Sequence, residues 1–281
     1  MACNLCTYHG VLFPSRLLSG GSTITKKRGS EVKKVAICLF ALLVTLGAVA
    51  QAQELDEVLN NYYDAMGGLD AIKSVENIIM TGRMDLGQGG EAPVSMTQVR
   101  GGKVRIEFTF QGMVGIQAYD GETGWSHMPF MGQTAAEVMP EDMRNQTAKQ
   151  ADIDGPLVDA GEKGIELELI GKEDVEGTET FHIQVTHPDS SVDHYFLDAE
   201  YFIPIQTKST ATFQGQEVES TTTLGDYKEI GGVLFAHSMA QSGGMGMTNI
   251  VVDQIDINVD VDDSIFMMPE PEAEAAAGGE G

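Results

Sequence analysis

Five histidines lie downstream of residue 52, and they are the residues best able to hold a metal or move a proton: His127, His182, His187, His194 and His237. Three imidazoles suffice for zinc. Pairing of two hairpin strands would bring His182, His187 and His194 near one another, with Asp189 or Asp193 beside them. Strand alternation opposes this, because neighbouring positions face opposite ways and no His-x-His pair occurs. Asp256, Asn258, Asp260 and Asp262 alternate like the start of a calcium loop. Yet Val261 stands where that loop turns on glycine, and Met267 where it needs a bidentate glutamate. The stretch therefore reads as a strand with one acidic face. There is no Gly-x-Ser-x-Gly elbow, no His-Glu-x-x-His and no Gly-x4-Gly-Lys phosphate loop. The expectation is a protein that is not an enzyme and uses no metal or cofactor.

The apolar residues say more. Trp125, the single tryptophan, follows the turn Tyr119-Asp120-Gly121-Glu122-Thr123-Gly124, with Met113, Met128, Phe130, Met131, Met139 and Met143 around it. Methionine is flexible and suits surfaces that must accommodate varied apolar shapes. Such a group commonly forms core. Its placement in loops and an insertion at the opening of a sheet favours a binding surface instead. The candidate cavity or lid residues are Phe108, Phe110, Trp125, Met128, Phe130, Met139 and Met143.

These residues need elements to position them. Leu55, Val58, Leu59, Tyr62 and Met66 recur at helical spacing, with Gly67-Gly68 as a stop, and Leu69 to Val75 extends to a short second helix. From Asn77 the period becomes two. Val104, Ile106, Phe108 and Phe110 share one side of a strand, and Phe181, Ile183 and Val185 repeat the pattern, as do Ile255, Ile257, Val259 and Val261. Glycine and proline turns separate about ten such strands. One apolar and one wet face per strand indicates an antiparallel sheet. Residues 134–159 interrupt the series, with a helix-compatible run over 140–151. The fold class is mainly β (α+β), a curved antiparallel sheet with helices packed on its concave side.

Upstream of residue 52 the character changes. Lys33-Lys34, an apolar run over 35–49 and the sequence Ala48-Val49-Ala50-Gln51-Ala52 are the parts of a secretory signal peptide. Cleavage is expected after Ala50 or Ala52, placing the product in the periplasm. The extension over 1–31 is long for such a leader, and Val32 would serve as an alternative start. Cys3, Cys6 and Cys38 all precede the cut, so the mature chain has no disulfide and no thiolate ligand. The expected organisation is a leader over 1–52, one domain over 53–269 and a disordered acidic tail over 270–281.

The formal charge of the whole chain is −25, and removing the leader leaves 11 basic against 41 acidic residues, a balance of −30. Such a field repels nucleic acid and anionic lipid surfaces. The acids are dispersed, as on a surface adapted to high salt. Screening should relieve their repulsion. The melting temperature is therefore expected to rise between low and molar salt, which a thermal scan checks.

Several stretches carry a resemblance: Tyr62-Tyr63-Asp64-Ala65-Met66-Gly67-Gly68-Leu69, Ala118 to Trp125, His194-Tyr195-Phe196-Leu197-Asp198 with Pro204, Gly231-Gly232-Val233-Leu234-Phe235, and Asn258 through Pro269. With these the chain resembles the outer-membrane lipoprotein-sorting family, the LolA/LolB-like fold. The resemblance implies an unclosed antiparallel β-barrel with a helical lid and an apolar cavity. It further implies a monomeric carrier whose partners are acyl chains of lipid or lipoprotein and an envelope membrane protein. No arginine here aligns with the one that holds the lid of the best-known carrier, so no gating residue is carried over. The alternative function is an envelope interaction or sensor module built on the same half-barrel.

Overall fold

The apolar spacing at the start of the domain produces α1, residues 54–65, in the computed structural model. Residues 54–85, 90–213, 216–243 and 246–270 are described. The expected leader, its cleavage site and residues 271–281 of the expected tail lie outside them.

Gly67 ends α1 at φ +117° because its Cα lies against another backbone, where an added Cβ would sit 1.9 Å from the carbonyl oxygen of Gly232. Leu234 N–H donates to the Met66 carbonyl oxygen beside it, at 3.0 Å. Two of the stretches that carried the resemblance thus meet in one contact. Gly67→Ala should cost about 3 kcal/mol, since both the backbone conformation and the close approach oppose a side chain. A drop in melting temperature of roughly 6–12 °C is expected from that cost in a domain of this size.

After α2 (Leu69–Lys73) the chain lays down β1 (Asn77–Asp85), β2 (Glu91–Val99), β3 (Lys103–Phe110), β4 (Met113–Tyr119), β5 (Gly124–His127) and β6 (Glu137–Val138). Then come α3 (Glu141–Gln150) and irregular chain up to residue 165. The series resumes with β7 (Glu166–Val175), β8 (Thr178–Thr186), β9 (Val192–Asp198), β10 (Pro204–Phe213), β11 (Gln216–Ile230), β12 (Val233–Gly243) and β13 (Gly246–Ile257). All 13 strands form one sheet in the order β6-β5-β4-β3-β2-β1-β13-β12-β11-β10-β9-β8-β7. Each half is a meander of hairpins, and antiparallel pairing of β1 with β13 joins the halves. The edges β6 and β7 do not pair with each other, so the barrel stays open. They are consecutive in sequence, so α3 and residues 151–165 make the crossing between them.

Core packing sits on one face. Val58 and Tyr62 of α1 and Ile72 of α2 pack with Ile78 of β1, Ile183 and Val185 of β8, Leu197 of β9 and Ile255 of β13. Leu157 and Val158 of the crossing join this core at 1 % and 0 % exposure. Helices therefore cover the inner face, as the alternation required. The crossing is also fastened by polar contacts. Arg100 donates to both carboxylate oxygens of Asp154 at 2.7 and 2.8 Å and to the Val75 carbonyl oxygen at 2.7 Å. Tyr63 donates its hydroxyl to the Leu157 carbonyl oxygen at 2.7 Å, and Lys73 pairs with Asp159 at 2.6 Å.

One expected strand is shorter than its alternation suggested. β13 ends at Ile257 rather than continuing through Val261, because Asn258 turns the backbone to φ 54°. Its amide group accepts from Glu76 N–H at 2.7 Å and donates to the Ser74 carbonyl oxygen at 3.1 Å. Asp262 accepts from Ser264 N–H at 2.9 Å and caps a 3-10 turn over Asp263–Phe266. Turn formation employs these members of the acidic ladder.

Candidate functional site

Register decides which apolar side chains share the inner face. Ile78 belongs to the core under α1, and its strand neighbour Met80 stands opposite Met96 of β2. Val94 and Met96 of β2 stand opposite Phe108 and Ile106 of β3. Phe108 and Phe110 are therefore on the inner face, and both are half-buried. A 3-10 turn, Pro129–Met131, lays Phe130 against both of them with ring centroids 5.5 Å apart in each case. Gly115 makes room, since a Cβ there would lie 2.7 Å from the Phe130 ring. At the open end of this group Met113 is 36 % and Met131 76 % exposed.

The other expected residues separate by position. Met128 is buried at the start of the 3-10 turn, and Met139 is buried beside α3, with Thr147 of that helix against its sulfur at 3.5 Å. Met143 is half-buried on α3 itself. α3 packs on β3, β4 and β5, and Thr147 is its single buried residue. Trp125 is on the opposite face. It stands opposite Ala118, which in turn stands opposite Arg105, the outward neighbour of Ile106. Its Nε1–H donates to the Phe266 carbonyl oxygen at 2.8 Å, and the Arg105 guanidinium lies 5.6 Å from the ring centroid. At 2 % exposure Trp125 anchors the C-terminal 3-10 turn to the outside of the sheet, away from the Phe108 group. The cause is strand alternation, which overrides closeness in sequence.

A second feature is a cavity of about 630 Å³ at the other flank of α3. Ala148 and Lys149 of α3, Ile153 and Lys163 of the crossing, the turn His187–Asp189 and Tyr195 of β9 are among its walls. Sequence reasoning missed it, because it gathers residues from segments far apart in the chain. Lys149 donates to the Ser191 hydroxyl and pairs with Asp189 at 3.3 Å. Lys163 donates to Asp152 at 2.6 Å and to the Gly155 carbonyl oxygen at 2.7 Å. His187 pairs with Asp193 at 2.7 Å. Burial alone would raise the Asp189 pKa, but hydrogen bonds from Ser191 and the Lys149 ammonium bring it down to about 2.

A carboxylate with a lowered folded-state pKa stabilises the fold above its unfolded value and loses that contribution as pH falls through the folded value. The stability difference between wild type and Asp189→Asn should therefore be constant above about pH 5, shrink as pH falls through 3.8 toward 2, and vanish only below the folded value. Urea midpoints measured across that range check it.

The histidines divide by face. His182 and His194 are bonded to each other at 2.8 Å on the outer face, and His182 also meets Glu173 at 3.1 Å. Burial and the neighbouring His194 lower the His182 pKa. His187 lies apart, at the cavity. Among the described residues no three His, Cys, Asp or Glu side chains converge to hold a metal ion.

No family model matches the sequence, and no curated protein matches it either. Solved structures do. A LolA superfamily protein from Nitrosomonas europaea aligns over 75 % of this chain and 96 % of its own, with a TM-score of 0.51 at 11 % identity. The fold is LolA-like. A DUF1329 family protein from Desulfovibrio piger matches over 73 % of this chain and 95 % of its own, again with a TM-score of 0.51, at 13 % identity. The likeness is one of architecture: an open antiparallel sheet carrying helices on its inner side. In this chain the crossing is held by Arg100 and Asp154, which lie 54 positions apart. Nothing in the local sequence marked either residue.

Proposed function

We propose that the protein is a non-catalytic carrier or binder of the acyl chains of lipid or lipoprotein, working as a monomer in the periplasm after loss of its signal peptide. The observation that carries this reading is the group formed by Phe108, Phe110 and Phe130, which stays half-buried on the inner face of an open sheet. An apolar surface left partly in water gains about 0.8 kcal/mol for each methylene it shields. A guest chain of a dozen methylenes would repay that exposure many times over. Release without a fuel needs a cover that lifts cheaply. α3, with one buried residue, fits that role and carries Met143, while the Met139 sulfur lies against its Thr147. The exposed Met131 and Met113 at the rim are suited to meeting an envelope membrane protein that delivers or receives the cargo.

Lipid extraction from protein purified without detergent, followed by mass spectrometry, tests the proposal. Acyl chains at close to one equivalent are expected. No lipid, no uptake of a fluorescent fatty acid and one stoichiometric protein partner would replace the carrier with an interaction module.

A further inference from the structure

We infer that the cavity beside α3 receives a zwitterionic head group, a phosphate and an ammonium on one short link as in phosphoethanolamine. The placement of its acyl tail rests on the carrier reading above, but the head can be tested alone. Among the described residues 11 carry Lys or Arg side chains, and Lys149, Lys163 and Arg100 all border this one cavity. Each is already matched by a carboxylate: Asp189, Asp152 and Asp154 respectively.

The Lys149–Asp189 pair keeps 33 % and 40 % side-chain exposure, and the Lys163–Asp152 pair keeps 26 % and 29 %. Both pairs are partly shielded yet reachable from the cavity, so a guest can touch them but neither member can lose its partner without cost. A simple anion that captured a lysine would orphan its aspartate, and would first have to cross the field of a chain at −25. A simple cation would orphan the lysine. A guest bearing both signs can enter an ion pair and leave every charge matched.

Tyr195 adds a phenol to the walls that hold these charges. Its ring lies deep in the fold, and burial raises the pKa of the phenol, so it remains a donor at neutral pH. The residue is partly buried and lines the cavity. Among the described residues the hydroxyl has no hydrogen-bond partner, whereas the Tyr63 and Tyr227 hydroxyls donate to carbonyl oxygens at 2.7 and 2.6 Å. A phosphate oxygen would satisfy it. Ile153 and Ile165 make part of the wall apolar, as an amphiphile requires at the root of its chain. α3 borders the cavity and also packs on the strands that carry Phe108, so one helix adjoins both the head and the proposed tail surface.

Calorimetric titration of the full mature chain with four amphiphiles of equal chain length tests this: lysophosphatidylethanolamine, lysophosphatidylglycerol, monoacylglycerol and the free fatty acid. Soluble glycerophosphoethanolamine is the fifth probe. The zwitterionic lipid should bind at least tenfold tighter than the anionic and the neutral one. Tyr195→Phe should weaken it about fivefold, the size of one lost hydrogen bond, while fatty-acid affinity stays within twofold. Equal affinities for all head groups, or indifference to Tyr195→Phe, would overturn the inference and leave the carrier reading intact. Binding of glycerophosphoethanolamine that depends on Tyr195, without binding of any fatty acid, would uphold the inference and remove the carrier reading. Silence from all five probes would remove both.

Discussion

Phe108→Asp should lower the affinity for a fatty acid by about a hundredfold or more while the chain still folds. Phe108 stands on the inner face opposite Val94 and Gly115, with the Phe130 ring 5.5 Å away. Losing that aromatic surface removes about 1.5–3 kcal/mol of apolar contact with a bound chain. The new carboxylate adds the cost of meeting a methylene chain without a partner. Each 1.4 kcal/mol is a factor of ten in the dissociation constant. Phe108→Leu keeps the surface apolar and should return most of the affinity. A fluorescent fatty-acid titration, paired with a melting curve for each variant, separates lost binding from lost fold.

Trp125→Ala should do the reverse. Removing a fully packed tryptophan costs about 3–5 kcal/mol, and here it also leaves the Phe266 carbonyl oxygen without its indole donor and the Arg105 guanidinium without its ring. The urea midpoint should fall accordingly. Fatty-acid affinity, measured where the variant is still folded, should stay within twofold of wild type. The two substitutions affect opposite faces of one sheet, and their contrast tests the assignment of those faces.

Much of the architecture could be read in the residues. The spacing of Val58 and Tyr62 predicted α1, and the period of two in Val104 to Phe110 predicted β3. The run over 140–151 became α3 within one residue at each end. What was not legible depended on register. Trp125 sits five positions from Phe130, yet pairing of Ala118 with Trp125 puts them on opposite sides. β5 has four residues and β6 two, too few to display an alternation of their own. The cavity was hidden for another reason. Lys149 reaches Ser191 across 42 positions and Arg100 reaches Asp154 across 54, and such contacts leave no local signature. The acidic ladder misled in length alone: Asn258 was read as one more strand position, and its positive φ makes it the turn that stops the strand.

The measurement that bears most directly on the central claim is crosslinking with a photoreactive fatty acid, mapped by peptide sequencing. A bound chain lying on the inner face should label Phe108, Phe110 or Met113 on one side and Phe130 or Met131 on the other, and excess unlabelled fatty acid should compete it away. Labelling confined to the outer face around Trp125, or no competable labelling at all, would contradict the account.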